Sequence, residues 1–246
     1  MRNFRILLAY DGTRYKGWQR LGNSGDTIQG KLETVLGRML EVPVEVSGSG
    51  RTDAGAHAMG QVASFRADTD LTCREMEAYL RRYLPEDIGV LEVSEAAPRF
   101  HARLSATGKT YVYRIWNSRR PNVFERRYVY QMPEQLDFAA MERAAADLVG
   151  THDFLAFCSN KHFKKSSVRT VTELRIERLG EEVRFTVTGD GFLYNMVRIL
   201  VGTLLEIGLH RREADCIPEI LASRCRENAG ETAPARGLCL MEVYYS

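Results

Sequence analysis

The segment PVEVSGSGRTDAGAHAMGQVASF, residues 43–65, joins two predicted strands through a glycine-rich loop. Residues 43–46 predict the first strand, and the alternation over residues 62–65 predicts the second. Between them, three glycines within eight residues predict a tight loop with close backbone approach. Because strands on both sides hold it, such a loop is a common place for a reactive side chain.

Helices and further strands flank this pair on both sides. Before it, residues 4–10 predict a strand, and apolar residues at helical spacing predict a helix over 27–40 with Asp26 as its N-cap. After it, residues 73–84 predict a helix and 88–93 a strand. The order is strand, helix, strand, strand, helix, strand.

The second half of the chain repeats this order. Its predicted elements are a strand over 110–116, a helix over 138–149 with Asp137 near its start, strands over 168–179 and 183–188, helices over 193–207 and 214–221, and a strand over 238–244. Two β-α-β-β-α-β units are the ferredoxin-like arrangement used twice. We expect an α+β fold with halves 1–102 and 103–246, forming one extended, mostly antiparallel sheet with helices on one face.

The composition is typical of a soluble globular protein. The chain has 246 residues, of which 44% are hydrophobic and 27% charged, which allows a sizeable core. No apolar run approaches the roughly 18 residues of a membrane span, and the N-terminus lacks signal-peptide features. Five scattered cysteines without a C-x-x-C motif predict neither disulfides nor a zinc site. We therefore expect a cytoplasmic protein without a membrane association.

The net charge of +2 does not by itself indicate nucleic-acid binding, but the basic residues are clustered. The clusters are Arg119-Arg120, Arg126-Arg127, Lys161 with Lys164-Lys165 and Arg169, and Arg211-Arg212. Each one is compatible with solvated surface charge as well as with RNA binding.

Arg51 and Asp53 are the reactive side chains of the glycine-rich loop. Arg51 could hold a phosphate, and Asp53 could attack an electrophilic carbon. The alternative is that Asp53 only caps a turn, and that His57 is a packed or hydrogen-bonded residue. The loop lacks the pattern of triphosphate sites. Residue types alone leave both interpretations open.

Six sequence blocks in the same order span essentially the whole chain. They are Tyr10-Asp-Gly-Thr-x-Tyr15-x-Gly17-Trp18-Gln19, Gly50-Arg-Thr-Asp53-Ala-Gly55-x-His57-Ala, Leu84-Pro85-Glu-Asp-Ile88, Phe100-His101-Ala-Arg103-x-Ser-Ala-Thr-Gly-Lys109-x-Tyr111-x-Tyr113, Asp153-Phe154 with Arg169-Thr170, and Gly191-Phe192-x-Tyr194-Asn195-Met196-Val197-Arg198-x-x-Val201-Gly202. Together they resemble the tRNA pseudouridine synthase A family. The resemblance implies isomerisation of uridine at tRNA positions 38–40, on the 3′ side of the anticodon stem-loop. It also implies no cofactor or metal, a homodimer, and an active-site cleft between the two halves.

The resemblance also implies roles for individual residues. Asp53 matches the family's nucleophile, Tyr111 the tyrosine that stacks on the target uracil, and Arg198 the basic residue that pairs with the carboxylate. Arg51 is the candidate for filling the gap left by the flipped nucleotide or for holding that nucleotide. The remaining expected substrate-binding residues are His57, Lys109 and Asn195. Whether Asp53 adds to the ribose carbon or acts as a base on the ribose stays open.

Arg198 also stands out from the sequence pattern alone, without the family resemblance. It interrupts an apolar helix, and Asn195 and Gly202 lie on the same face of that helix. The small residue beside it predicts that another segment approaches closely. A buried arginine must be paired, with Asp53 as the expected partner. The alternatives are a snorkelling surface arginine and, for Tyr111, an ordinary aromatic of a half-buried strand.

Two positions depart from the family pattern. Ala56 stands where valine is commoner, and Arg81 where asparagine usually precedes the Leu-Pro-Glu-Asp segment. They leave room for a synthase with altered target positions. A separate alternative is a non-catalytic tRNA-binding or tRNA-folding protein, against which the presence of Arg51, Asp53, Tyr111 and Arg198 argues. A metal-dependent nuclease would require a ligand cluster that this sequence does not contain.

Overall fold

The order of strands and helices follows the predicted pattern closely. A computed structural model of the protein describes residues 1–22, 24–160 and 163–246, so Lys161 lies outside the described residues. The strands are β1 (Arg2–Tyr10), β2 (Ser47–Gly48), β3 (His57–Ala67), β4 (Ile88–Glu95), β5 (Ala106–Trp116), β6 (Tyr130–Gln131), β7 (Gly150–Asp153), β8 (Val168–Leu179), β9 (Glu182–Gly189) and β10 (Leu238–Tyr245). The helices are α1 (Ile28–Leu40), α2 (Cys73–Tyr83), α3 (Phe138–Ala146), α4 (Met196–Gly208) and α5 (Ile217–Ser223). The predicted α+β class is confirmed.

Two units make up the chain: Met1–Thr107 with Cys239–Ser246, and Gly108–Leu238. In the first unit the strand order is β4-β1-β3-β10, with β2 beside β3. β1 runs antiparallel to β3 and β4, and β10 runs parallel to β3. The last strand therefore lies in the first unit, whereas the sequence analysis assigned it to the half 103–246. An apolar strand pattern does not specify which strand it will pair with.

The second unit orders its strands β5-β9-β8-β7, with β6 beside β5. The pairs β5–β9, β9–β8 and β8–β7 are antiparallel. Gly180 turns the β8–β9 hairpin with φ +65°, a conformation that glycine adopts at little cost. Asp137 caps α3, because its carboxylate accepts from the backbone N of Ala140 at 2.9 Å. The hairpin and this cap confirm two local predictions.

The cap of α1 differs from the prediction. Thr27 rather than Asp26 is the N-cap, since its hydroxyl accepts from the backbone N of Gly30 at 3.2 Å. The Asp26 carboxylate lies 3.5 Å from the Lys31 ammonium instead. Both residue types are good caps, and their position relative to the first turn decides which one is used.

The predicted strand over residues 43–46 is absent. The backbone N of Val46 donates to the Glu33 carboxylate at 3.1 Å, and its carbonyl accepts from the Gln29 amide at 2.9 Å. Two side chains of α1 therefore bind the backbone groups that a strand ladder would use. Only β2 pairs with β3 in this region.

The core of the first unit follows the alternation of β1. Phe4, Ile6 and Leu8 are completely buried, while the residues between them are partly exposed. Fully buried helix residues add to this core: Ile28, Leu32, Leu36, Met76 and Leu80. β1 pairs with β3, the strand that follows the glycine-rich loop, so this core supports that strand.

Arg81, a departure from the family pattern, connects α2 to β4. Its guanidinium donates to the carbonyls of Val90 at 2.8 Å and Leu91 at 2.9 Å, and it pairs with Glu77 at 2.7 Å. Leu91 is the extra residue of the bulge between β1 and β4. Arg81 therefore stabilises an irregular part of an edge strand.

No helix within the described ranges is long and apolar enough to cross a membrane.

Candidate active site

The glycine-rich loop occupies residues 49–56, between β2 and β3. β3 begins at His57, five residues before its predicted start at 62, so the loop is shorter than expected. Arg51 is exposed, and Asp53 is half-buried. The backbone carbonyl of Asp53 accepts from the N of Ala56 at 3.1 Å and closes a turn.

The segment over residues 10–18 holds the loop from one side. The backbone N of Trp18 donates to the Thr52 carbonyl at 3.1 Å, and the N of Gly55 donates to the Tyr15 carbonyl at 3.3 Å. A Cβ placed on Gly12 would lie 1.8 Å from the Ala56 carbonyl oxygen. The two segments therefore touch backbone to backbone on both sides of Asp53.

Tyr15 anchors this contact to the start of β4. Its hydroxyl donates to the Asp87 carboxylate at 2.6 Å, and the Arg14 guanidinium pairs with the same carboxylate. Burial, together with the hydrogen bond to Asp87, raises the pKa of Tyr15 to about 12. The phenol therefore stays protonated and remains a donor at neutral pH.

A buried polar network lies beneath the loop. The hydroxyls of Tyr10 and Thr52 are 2.8 Å apart, and the Gln61 amide donates to the Tyr10 hydroxyl at 3.3 Å. The Ser49 hydroxyl donates to the side-chain oxygen of Gln61, Oε1, at 2.6 Å. Burial raises the pKa of Tyr10 above its ordinary value. This network fixes Thr52, the residue directly before Asp53.

Tyr10→Phe is expected to lower the free energy of unfolding by about 1–3 kcal/mol, because Thr52 and Gln61 both lose a buried hydrogen-bond partner. Urea denaturation of the purified protein measures this loss. Tyr83→Phe is the matched control, since Tyr83 is about half exposed (49%) on α2. Equal stability of the two variants would contradict a structural role for the network.

His57 is buried at the first position of β3. Its Nδ1 accepts from the backbone N of Gly12 at 3.1 Å, and Asp11 Oδ1 lies 3.3 Å away. The same Asp11 oxygen accepts from the N of Thr13 at 2.9 Å. His57 therefore helps to hold the segment over 10–18 against the loop.

Tyr111 lies on β5 in the second unit and is 7% exposed. Its ring packs edge-on against Phe192, with centroids 5.3 Å apart and planes at 87°. Lys109 is on the same strand two residues earlier and is half-buried. Tyr113, two residues later, donates to the Pro234 carbonyl at 2.7 Å. Strand periodicity places all three on one face of β5.

Arg198 lies in the first turn of α4, after Asn195 in the left-handed conformation with φ +62°. One guanidinium nitrogen donates to the Asn195 side chain at 3.0 Å, and Nε donates to the Ala233 carbonyl at 2.7 Å. A Cβ on Gly202 would lie 1.8 Å from the Glu231 carbonyl oxygen. The segment predicted to approach α4 closely at Gly202 is therefore residues 231–233. The Ala233 carbonyl of this segment orients the Arg198 side chain.

The expected site residues are distributed over both units. Arg51, Asp53 and His57 lie in the first, and Lys109, Tyr111, Asn195 and Arg198 in the second. Among the described residues, no group of three or more His, Cys, Asp or Glu side chains could hold a metal ion.

The residues that position the loop could not be identified from the sequence pattern. Tyr10, Tyr15 and Gly12 stand in a block recognised only by resemblance, and Gln61 follows another. Their partners are far away in the chain, so spacing could not reveal their function. The signal that the sequence offered was the occurrence of both blocks in the same order as in the family.

Comparison with known proteins agrees with the resemblance. A sequence profile of the family described as tRNA pseudouridine synthase matches residues 6–104 and 144–246. The chain is 48% identical to tRNA pseudouridine synthase A of Bacillus sp. strain KSM-64, over 245 residues and 100% of both chains. It is 46% identical to tRNA pseudouridine synthase A of Acetivibrio thermocellus and 45% to tRNA pseudouridine synthase A 2 of Bacillus cereus strain ZK / E33L, again over 100% of both chains.

A solved structure, the crystal structure of a Cbf5-Nop10-Gar1 complex, matches only distantly. The TM-score is 0.39 at 11% identity, covering 96% of this chain and 48% of that chain. A score this low supports no inference. The full-length relatives and the profile carry the assignment, and the chain belongs to the tRNA pseudouridine synthase family, the isomerases that convert uridine to pseudouridine in tRNA.

Proposed function

We propose that this protein isomerises uridines at positions 38–40, on the 3′ side of the anticodon stem-loop, with Asp53 as the nucleophile and without a cofactor. The observation that carries the proposal is the position of Asp53 within a family block. Backbone contacts of its neighbours, Thr52 and Gly55, hold this position on both sides. A rigidly presented carboxylate suits a reaction that depends on the alignment of two atoms.

The proposed chemistry is a rearrangement. The bond from N1 of uracil to C1′ of ribose breaks with its electron pair going to N1, the base turns, and C5 bonds to C1′. C5 then loses its proton and N1 gains one, so that the product is an isomer. The Asp53 carboxylate either adds to C1′ as N1 leaves, as a glycosidase nucleophile does, and is displaced again when C5 bonds to C1′, or it removes a ribose proton to give a glycal and returns that proton to the ribose when C5 bonds to C1′.

Six further residues have proposed roles that rest on the family resemblance. Tyr111, packed edge-on against Phe192, stacks on the extruded uracil. Arg198 takes the role of the family's basic residue that acts on the catalytic carboxylate. Arg51 fills the space left by the flipped nucleotide or holds that nucleotide. His57, Lys109 and Asn195 support substrate binding.

We also propose that the protein acts in the cytoplasm as a homodimer that grips tRNA across both subunits. The full-length identity to tRNA pseudouridine synthases A supports tRNA as the substrate, whereas the homodimer and the cytoplasmic location rest on the family resemblance. A homodimer would present two copies of each basic cluster to one tRNA body, which is bound mainly through shape and charge.

Site-by-site mapping of pseudouridine tests the proposal. Unmodified tRNA transcripts with uridine at one of positions 38, 39 or 40 are incubated with the purified protein and no added cofactor. We expect pseudouridine at those positions only, and none when cytidine replaces the target. Pseudouridine elsewhere would overturn the positions, and tRNA binding without any pseudouridine would overturn the catalytic assignment.

A further inference from the structure

A loop on the second unit, residues 117–129 between β5 and β6, combines strong positive charge with an exposed aromatic side chain. We call it the basic loop. Its four arginines, all exposed, are Arg119, Arg120, Arg126 and Arg127. Its single carboxylate, Glu125, lies 2.9 Å from the Arg114 guanidinium on β5. The outward charge of the basic loop is therefore strongly positive.

Hydrogen bonds hold the basic loop in one conformation. The Trp116 indole donates to the Arg120 carbonyl at 2.8 Å, at the start of the loop. Within the loop, the Glu125 N donates to the Asn122 side chain at 3.1 Å, and the Tyr128 N donates to the Glu125 carbonyl at 2.7 Å. The basic loop therefore has a defined conformation that its own hydrogen bonds stabilise.

Phe124, at the tip of the basic loop, is 94% exposed. Full burial of a phenylalanine side chain contributes roughly 1.5–3 kcal/mol to folding, so this side chain stabilises its own unit very little. Val123 beside it is 57% exposed. An ordered loop that holds an aromatic ring in water, between two pairs of arginines, fits a binding surface better than a folding element.

We propose that the basic loop is a tRNA-docking element in which Phe124 stacks on an unpaired base while the arginines contact neighbouring phosphates. Alternating aromatic and basic side chains are the usual means of binding unpaired nucleotides. The inference rests on tRNA as the substrate and adds a contact to it. A contact of the basic loop with the same loop of a second copy fits less well, because it would bring eight arginines together.

Two variants test the contact with tRNA by filter binding. Phe124→Ala is expected to weaken tRNA binding about tenfold, the effect of losing one stacked base, and to leave binding of a blunt RNA duplex unchanged. Arg119→Gln with Arg120→Gln is expected to weaken binding of both RNAs. It should also reduce the slope of log Kd against log salt by about 1.5, because two phosphate contacts are lost.

Matched controls separate docking from general effects. Leu179→Ala removes an apolar side chain of the second unit that is 49% exposed, and Arg38→Gln with Arg74→Gln removes two exposed charges from helices. We expect both controls to bind tRNA as the wild type does. Phe124→Trp adds a fluorophore at the tip, and its emission should be quenched when tRNA binds.

Wild-type tRNA affinity in Phe124→Ala, or equal weakening in the controls, would overturn the inference. Loss of the dimer in Phe124→Ala, measured by light scattering, would show that a second copy covers the loop and would also overturn it. Conversion at saturating tRNA reports on the proposed function separately. An active Phe124→Ala enzyme with normal tRNA affinity refutes only the docking element, and an inactive wild type refutes only the proposed chemistry.

Discussion

Asp53→Asn is expected to abolish pseudouridine formation while tRNA binding persists. The substitution keeps the shape of the side chain but removes the charge that makes it a nucleophile or a base. Loss of a nucleophile typically costs roughly 10⁴-fold or more in kcat. The turn at this position is closed by the Asp53 backbone carbonyl, so the loop should keep its conformation. Tritium release from tRNA labelled at uridine C5 measures the rate.

The matched control is Asp68→Asn, which neutralises a carboxylate of the same unit whose side chain is 92% exposed. It should retain wild-type rates. Filter binding of tRNA and the unfolding midpoint of Asp53→Asn should both stay close to those of the wild type. If Asp53→Asn still releases tritium at more than a few per cent of the wild-type rate, Asp53 is not the nucleophile.

Gly12→Ala is expected to reduce kcat by about 100-fold and to destabilise the first unit. The added Cβ would lie 1.8 Å from the Ala56 carbonyl oxygen, a backbone atom that can yield only if the loop moves. Displacement of a reacting group by about 1 Å can cost roughly 100-fold in rate. Overpacking of this kind lowers the free energy of unfolding by about 1–3 kcal/mol.

Gly25→Ala is the control for Gly12→Ala, because an added Cβ there meets no atom within 4 Å. Neither glycine has a left-handed φ, so the two variants differ in steric contact rather than in backbone strain. Single-turnover rates at saturating tRNA and urea denaturation should distinguish them. Similar behaviour of the two variants would show that Asp53 does not depend on the contact between Gly12 and Ala56.

Residue patterns were sufficient to predict the strands and helices whose hydrophobic periodicity is strong and whose turn or cap residues lie close by in the sequence. The alternation of β1, the helices α2 and α3, and the β8–β9 hairpin all formed close to the predicted bounds. Gly202 likewise predicted a close approach to α4, which the segment before Ala233 makes. For the strand, the helices and the hairpin, the physical cause lies within a few residues of the signal, whereas at Gly202 the signal is the missing side chain and the partner, Glu231, lies far along the chain.

The sequence by itself determined the α+β class, the family and the block that presents Asp53. Only the tertiary structure decided that Gln29 and Glu33 would bind Val46 and prevent a strand, and that β10 would pair with β3. Only tertiary structure, too, joined Tyr10 to Thr52 and Gly12 to Ala56 beneath and beside the loop. These contacts connect residues far apart in the chain. A single hydrogen bond or backbone contact of this kind produces no repeating residue pattern around either partner, so the sequence does not show which residues will meet.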